Sequence, residues 1–130
     1  MRELFERYIR AGMSKDPSAV AAMFTEDGVI EAPLVPPGGA FPARMAGHDE
    51  IEAGLAAYYA RPVDTGLKVL MDQSRYVLHT TEDPAVFIAE IDTAYEKAGE
   101  VTRMSLVQIF RLRDGKIALL RDYFAPEHVN

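Results

Sequence analysis

The chain has 130 residues, of which 48% are hydrophobic and 26% are charged, and these values are typical of one globular domain. The formal net charge of -6 argues against a nucleic-acid partner, because phosphate binding requires clustered Lys and Arg side chains. The absence of cysteine excludes disulfides, thiolate metal sites and cysteine nucleophiles. No apolar run is long enough to span a membrane, and the N-terminal sequence MRELFERYIR lacks the apolar core of a signal peptide. We therefore expect a single domain over residues 1–130 that lies in the cytoplasm, with neither a membrane nor a nucleic-acid partner.

The N-terminal half of the chain predicts three helices. Apolar residues recur at helical spacing on one side of the segment from Arg2 to Met13. A short second helix begins at Asp16-Pro17, where an N-cap residue precedes a proline at the first helical position, and it carries Phe24 before a Glu-Asp-Gly sequence ends it. A third helix begins at His48-Asp49 and ends near Pro62.

Short apolar or alternating segments predict strands, most of them in the C-terminal half. These segments are Val29–Ala32, Leu67–Met71, Tyr76–His79, Val86–Tyr95, Val101–Leu112 and Ile117–Phe124. Between the first strand and the third helix, the segment from Pro33 to Pro42 is rich in proline and glycine and predicts a loop. Helices followed by consecutive strands indicate an α+β fold with an antiparallel sheet.

The last two predicted strands form a hairpin that carries an unusual carboxylate. The sequence Arg113-Asp114-Gly115-Lys116 is a turn of the Asp-Gly type that closes tight β-hairpins. The strand after it places Asp122 among Leu120, Tyr123 and Phe124. A charge in the middle of an apolar strand either bonds to a local partner or faces a pocket.

Four motifs resemble those of a known fold family. They are Phe24-Thr25-Glu26-Asp27-Gly28, Gly47-His48-Asp49-Glu50-Ile51, the segment from Phe110 to Ile117, and Arg121-Asp122-Tyr123-Phe124. With the order of helices and strands, they resemble the nuclear transport factor 2-like superfamily, and in particular its SnoaL-like branch. This branch includes polyketide cyclases, ketosteroid isomerases and limonene-epoxide hydrolases, so the resemblance indicates the fold more specifically than the function.

The resemblance implies a cystatin-like cone, in which a curved antiparallel sheet wraps around the N-terminal helices and encloses a central pocket. Side chains alternate between the inside and the outside of such a sheet. The pocket-lining residues expected on this basis are Phe24, Ile30, Ala32, Leu55, Tyr58, Tyr59, Ile91, Leu106, Phe110, Leu120 and Phe124. The expected polar groups are Asp122, with Gln108, Thr93 and Tyr8 in support. The outer face is expected to carry Val107, Ile109, Ile117, Leu119 and Tyr123.

Two familiar mechanisms of this superfamily lack their residues in the chain. By resemblance, the base carboxylate of ketosteroid isomerases falls on Ala32, and the protonated aspartate of their oxyanion hole falls on Gln108. The arginine and the second aspartate of limonene-epoxide hydrolases fall on Ile91 and Thr93. We therefore expect neither a conventional ketosteroid isomerase nor a limonene-epoxide hydrolase.

The polyketide cyclases need chiefly one aspartate that moves a proton, and Asp122 fits that role by resemblance. Burial among apolar side chains should raise the pKa of Asp122, because desolvation disfavours the carboxylate, and an acid or base near neutral pH would result. Alternatively, Asp122 bonds to Tyr8 or to a loop backbone and only supports the pocket. Gln108 and Thr93 would either orient a ligand or hydrogen-bond with Asp122, and the tyrosines are also typical core residues.

No metal and no cofactor are expected, because His48, His79 and His128 are scattered without carboxylates at ligand spacing. Asp64 is expected in a loop at the mouth of the cone. An apolar outer sheet face without a covering helix predicts a homodimer. The function expected is cofactor-independent acid/base chemistry on a small, largely apolar molecule, such as cyclisation, isomerisation or hydration. The alternative is a non-catalytic ligand-binding or assembly protein of the same fold.

Overall fold

A computed structural model describes residues 1–62 and 66–126 of the chain. The helices are α1 (Arg2–Met13), α2 (Pro17–Ala22) and α3 (Gly47–Tyr59), and a 3-10 turn spans Met71–Gln73. The strands are β1 (Phe24–Glu31), β2 (Arg44–Ala46), β3 (Lys68–Val69), β4 (Arg75–Thr80), β5 (Val86–Lys97), β6 (Glu100–Arg113) and β7 (Lys116–Tyr123). None of the helices within these two ranges has the length and apolar character that a bilayer crossing requires.

The helices form where the sequence predicts them, with one difference at α2. The side chain of Asp16 accepts a hydrogen bond from the backbone N–H of Ala19, and Pro17 occupies the first turn, as expected of a helix start. Phe24 does not belong to this helix. It begins β1 instead, because α2 ends at Ala22 and the chain turns at Met23 into the sheet.

The strands form one curved sheet in the order β2-β1-β7-β6-β5-β3, with β4 also paired to β5. The α+β cone is therefore as predicted, and all pairs are antiparallel except one. Strand β1 runs parallel to β7, with Ile30 opposite Leu120 and Glu31 opposite Arg121. Turn signals in a sequence report only on strands that follow one another, so this pairing between the first and last strands was not predicted.

Strand β7 contains an irregularity that changes the direction of one side chain. The β6–β7 register shifts between Arg111, which lies opposite Leu119, and Leu112, which lies opposite Ile117. The extra residue on β7 is Ala118, and a bulge of this kind reverses the alternation beyond it. The prediction that Ile117 faces outward is therefore wrong: Ile117 lies in the core and is 0% exposed.

The core lies between the concave face of the sheet and the helices. Phe5 of α1 packs edge-on against Phe110 of β6, and Phe110 stacks on Phe87 of β5 at 4.7 Å between ring centroids. On the other side, His48 at the start of α3 hydrogen-bonds through Nε2 to the backbone oxygen of Phe24 at 2.8 Å. These contacts hold α1 and α3 against the sheet, and the space between the two helices and the sheet becomes a cavity.

Candidate active site

A cavity of about 470 Å³ lies between α1, α3 and the concave face of strands β4 to β7. Its wall is mainly aromatic and aliphatic. Six of the predicted lining residues are on this wall: Ile30, Leu55, Tyr58, Tyr59, Ile91 and Leu106. All four predicted polar residues, Tyr8, Thr93, Gln108 and Asp122, are also on it.

Five other predicted lining residues lie in the core instead of on the cavity wall. They are Phe24, Ala32, Phe110, Leu120 and Phe124. They are packed against other core side chains, as Phe124 is against Phe41 at 5.3 Å between ring centroids, and they do not line the cavity. Ala32, for example, is 1% exposed and its backbone N–H donates to the oxygen of Ala43. Alternation predicts the face of a sheet, and it does not predict where along a strand the cavity ends.

Several wall residues were not predicted from the sequence. They are Phe5, Ile9, Phe41, Met71 and Tyr76. Phe41 comes from the proline- and glycine-rich loop, and it packs edge-on against Tyr58 at 5.0 Å between ring centroids. The direction of Tyr76 could have been predicted from the alternation along β4. Exposed and half-buried residues alternate at the start of this strand, and Tyr76 is one of the half-buried residues.

Asp122 is placed on the wall by the pairing of β7 with β6. It lies directly opposite Gln108, which is 6% exposed. Nε2 of Gln108 donates a hydrogen bond to Oδ2 of Asp122 at 3.3 Å. The other carboxyl oxygen, Oδ1, is buried and has no hydrogen-bond partner. Asp122 is therefore not held by a full set of donors, as a purely structural carboxylate would be.

Burial raises the pKa of Asp122 from 3.8 to about 7, and the hydrogen bond from Gln108 offsets only part of this effect. The one nearby cation on the same strand, Arg121, points to the other side of the sheet, where its Nε lies 3.3 Å from Oε1 of Glu31. A carboxyl group with a pKa about 7 exists in both protonation states at neutral pH, and it can act as an acid or as a base.

The tyrosines around Asp122 remain neutral. Burial, followed by the charge of Asp122, raises the pKa of Tyr8 well above its usual value. Burial also raises the pKa of Tyr58, and Asp122 contributes to that rise. Thr93 lies on the same cavity wall. Tyr8 and Tyr58 therefore surround Asp122 with groups that can form hydrogen bonds but carry no charge.

The borders of the cavity are held by contacts between the helices and the sheet. The guanidinium of Arg61, just after α3, lies over the ring of Tyr58 at 3.9 Å from its centroid. On the opposite side, the Tyr76 hydroxyl donates to Glu6 at 2.7 Å and ties α1 to β4. Asp64 and His128 lie outside the described residues.

Neither the histidines nor the carboxylates within residues 1–62 and 66–126 gather in groups of three or more that could hold a metal ion. His79 bonds to Glu90 on the outer face of the sheet, away from the cavity. A second depression of about 480 Å³ lies at the end of the β5–β6 hairpin, beside Lys97 and Glu100. The cavity that contains Asp122 is therefore the better candidate for an active site, because it combines an apolar wall with a carboxyl group of raised pKa.

The model of the SnoaL-like domain family matches residues 5–120 of the chain. None of the curated proteins matches it significantly. Among solved structures, a candidate isomerase from Bacillus subtilis shares 23% identity at a TM-score of 0.73, over 96% of this chain and 86% of that one. A candidate polyketide cyclase from Xanthomonas campestris shares 17% identity at a TM-score of 0.66, over 98% and 91% of the two chains. An epoxide hydrolase from M. tuberculosis, similar to limonene-epoxide hydrolases, shares 21% identity at a TM-score of 0.59, over 98% and 84%.

Proposed function

Because the chain belongs to the SnoaL-like domain family, we propose that it binds a small, largely apolar molecule in its cavity and carries out cofactor-independent acid/base chemistry with Asp122. The reaction is a cyclisation, an isomerisation, or a hydration or hydrolysis. The observation that carries this proposal is the position of Asp122, a carboxyl group with a pKa about 7 on the wall of an apolar cavity. The structural neighbours, which include a candidate cyclase, a candidate isomerase and an epoxide hydrolase, support the same range of chemistry.

The geometry supports a simple division of roles. Asp122 gives a proton to a developing oxyanion or takes one from an activated carbon, because both of its protonation states are populated near neutral pH. The aromatic wall, with Tyr58 and Tyr59 from α3, holds the apolar body of the ligand and excludes water from the reacting atoms. Tyr8 and Gln108 provide neutral hydrogen-bonding groups beside the carboxyl.

The positions of other residues argue against the two familiar mechanisms. Ala32 lies in the core and carries no base, so the proton abstraction that begins ketosteroid isomerisation has no group to perform it. Ile91 and Thr93 lie on the cavity wall, where a hydrolase of the limonene-epoxide type has an arginine and an aspartate by resemblance. Within residues 1–62 and 66–126, no second carboxylate contributes to the pKa of Asp122, so the proposed reaction depends on Asp122.

One observation favours a second candidate, a non-catalytic ligand-binding protein of the same fold. Asp92 and Arg75, which are bonded to each other at 3.2 Å, lie on the same side of the sheet as Glu90 and Val77, so they do not assist a reaction in the cavity. A cavity in which Asp122 is the proposed proton-transfer group can also bind a ligand without converting it. The experiment below distinguishes the two candidates.

The test begins with a panel of uncharged aromatic and polycyclic carbonyl compounds, screened by the rise in melting temperature that binding causes. Each binder is then incubated with the protein, and products are identified by mass spectrometry. Asp122→Asn should keep the affinity within a few fold and lower kcat by about 10²–10⁴-fold. Asp92→Asn is the matched control, since it removes a carboxylate of β5 that is bonded to Arg75 and Ser105 and lies on the outer face. Turnover that survives in Asp122→Asn would overturn the proposal, and binding without turnover in the unaltered protein would favour the second candidate.

We also propose that the protein is a cytoplasmic homodimer, formed through the outer face of the sheet. Neighbouring strands place Val77, Glu90, Val107 and Tyr123 side by side on this face, with Ile109 in the next row. Val77 is 50% and Val107 is 36% exposed. A second copy packed against this face would bury these apolar side chains.

A further inference from the structure

Gln108 and Asp122 form a buried pair in which each side chain has one oxygen without a donor. Nε2 of Gln108 donates to Oδ2 of Asp122, but Oε1 of Gln108 and Oδ1 of Asp122 have no hydrogen-bond partner. Both atoms accept hydrogen bonds, and both are closed off from solvent. A buried acceptor that has lost its water and gained no donor destabilises the folded state.

We infer that Gln108 and Asp122 form a reciprocal acid–amide pair, in which Asp122 carries its proton on Oδ1 and donates it to Oε1 of Gln108. The Gln108 amide donates in return to Oδ2, so both unpartnered oxygens are satisfied by a single proton. Turning the amide over exchanges the roles of its two atoms and still requires one proton between the side chains. The inference deepens the proposed function and depends on it for its catalytic meaning.

The length of the hydrogen bond between the two side chains supports an uncharged pair. Hydrogen bonds to an ionised carboxylate are shorter than those between neutral groups, whereas Nε2 of Gln108 lies 3.3 Å from Oδ2 of Asp122, slightly beyond the usual range of about 2.7–3.2 Å. The two residues lie directly opposite each other on β6 and β7, and their end groups are in contact through Nε2 and Oδ2. Because Oδ1 and Oε1 are both buried without a donor from the protein, a proton held between them satisfies both.

The charges around the pair also favour the neutral acid. The titratable groups that face Asp122 from the packed helices are Tyr8 of α1 and Tyr58 of α3, and burial raises the pKa of both. On its own strand, Arg121 is paired with Glu31 on the outer face. No positive charge from the described residues appears among the groups that shift the pKa of Asp122.

In this pair, Gln108 positions the proton of Asp122. The pair also implies that the cavity prefers uncharged ligands to cationic ones. In the protonated state of Asp122 the site is uncharged, and the proton is held against Gln108 until a ligand competes for it. A ligand with an uncharged carbonyl or hydroxyl oxygen is compatible with this state. An ammonium ligand is not, because it requires the ionised carboxylate and leaves Oε1 of Gln108 without a donor.

The sign of one pKa change tests the pair. If Gln108 only donates to the carboxylate, Gln108→Met removes a bond that favours the charged form, and the pKa of Asp122 rises. If the pair is reciprocal, the same change removes two bonds from the neutral form and one poor contact from the charged form. The pKa of Asp122 then falls, by about 0.7 or a fivefold change in the acid dissociation constant for one net hydrogen bond.

The measurement is the pH dependence of the Asp122 carboxyl carbon resonance in protein labelled with carbon-13, assigned by its loss in Asp122→Asn. Thr93→Val is the matched control, since it removes a hydroxyl from the wall of the same cavity outside the Gln108–Asp122 pair, and it should leave the pKa of Asp122 unchanged. A fall in Gln108→Met, with no change in Thr93→Val, supports the pair. A rise or an unchanged pKa in Gln108→Met overturns it.

A second measurement needs no variant of Gln108 and remains available if that protein does not fold. In an isotope-edited infrared spectrum at acidic pH, the Asp122 carboxyl should absorb at the lowered frequency of an acid that donates its proton to an acceptor. Absorption at the frequency of a non-donating acid would overturn the pair. Both readouts are made without substrate, so they are independent of whether Asp122→Asn abolishes turnover, which is the test of the proposed function.

Discussion

Asp122→Asn should stabilise the protein, and the stabilisation should increase as the pH rises. Burial raises the pKa of Asp122 from 3.8 to about 7, so ionising this group in the folded state costs free energy. A pKa difference of about three corresponds to about 4 kcal/mol when the group is fully ionised. Asparagine has nearly the same shape and avoids this cost, because it carries no charge to desolvate.

The sign of the pH dependence follows from the direction of the pKa change. The folded-state pKa of Asp122 lies above its unfolded-state value of 3.8. Its contribution to the stability of the fold is therefore fully present below pH 3.8 and is lost as the pH rises through about 7. Between about pH 5 and pH 8, the unaltered protein should lose about 2.5 kcal/mol that the variant keeps. For a domain of this size, the difference corresponds to roughly 7–10 °C in melting temperature.

The assay is a series of thermal melts of both proteins at intervals from acidic to mildly alkaline pH. Asp92→Asn provides a control of opposite sign, because hydrogen bonds from Ser105 and Arg75 hold the pKa of Asp92 below its usual value. That variant should be less stable than the unaltered protein at neutral pH, and the difference should disappear in acid. A difference between Asp122→Asn and the unaltered protein that stays constant with pH, or a variant less stable at pH 8, would refute the reasoning.

Three further predictions concern the assembly, the substrates and the sheet. Ile109→Glu should dissociate the proposed homodimer, because it places a charge in the interface on the outer face. If light scattering shows that the unaltered protein is a monomer at micromolar concentration, the dimer is ruled out. Neither 5-ene-3-ketosteroids nor simple monoterpene epoxides should be turned over efficiently in a product assay, because Ala32 and Thr93 carry no carboxylate; robust turnover of either would contradict the assignment of those strands. Gly28→Ala should lower the melting temperature by an amount equivalent to about 1–3 kcal/mol. The reason is that a Cβ at this position would lie 2.9 Å from Cβ of Phe24 and 3.0 Å from the backbone oxygen of Ile117. An unchanged melting temperature would contradict this prediction, because it would show that β1 relaxes without cost.

Local patterns in the sequence were sufficient to predict most of the fold. The amphipathic stripe of α1 predicts Arg2–Met13, and the helix has these bounds. The hairpin turn at Asp114-Gly115 correctly predicts the pairing of β6 with β7. The parallel pairing of β1 with β7 and the bulge at Ala118 were not predicted, since they depend on contacts between distant segments and on a local register shift.

The candidate site was predicted in part. Alternation along β6 and β7 places Gln108 and Asp122 on the same face, and the structure brings them into contact. The wall contributed by Phe41 was not predicted, because a loop rich in proline and glycine has no periodicity from which its direction follows. The two unpartnered oxygens were also beyond sequence analysis, because hydrogen-bond satisfaction depends on atomic distances.

The titration midpoint of Asp122 tests the central claim most directly, because the proposed proton transfer requires a carboxyl group that is partly protonated at neutral pH. The midpoint can be read from the carboxyl carbon resonance of Asp122 in the unaltered protein, with Asp122→Asn for assignment. The account predicts a midpoint of about 7. A midpoint at or below 3.8, the ordinary value of an aspartate, would contradict it, because Asp122 would then be a solvated or fully bonded carboxylate.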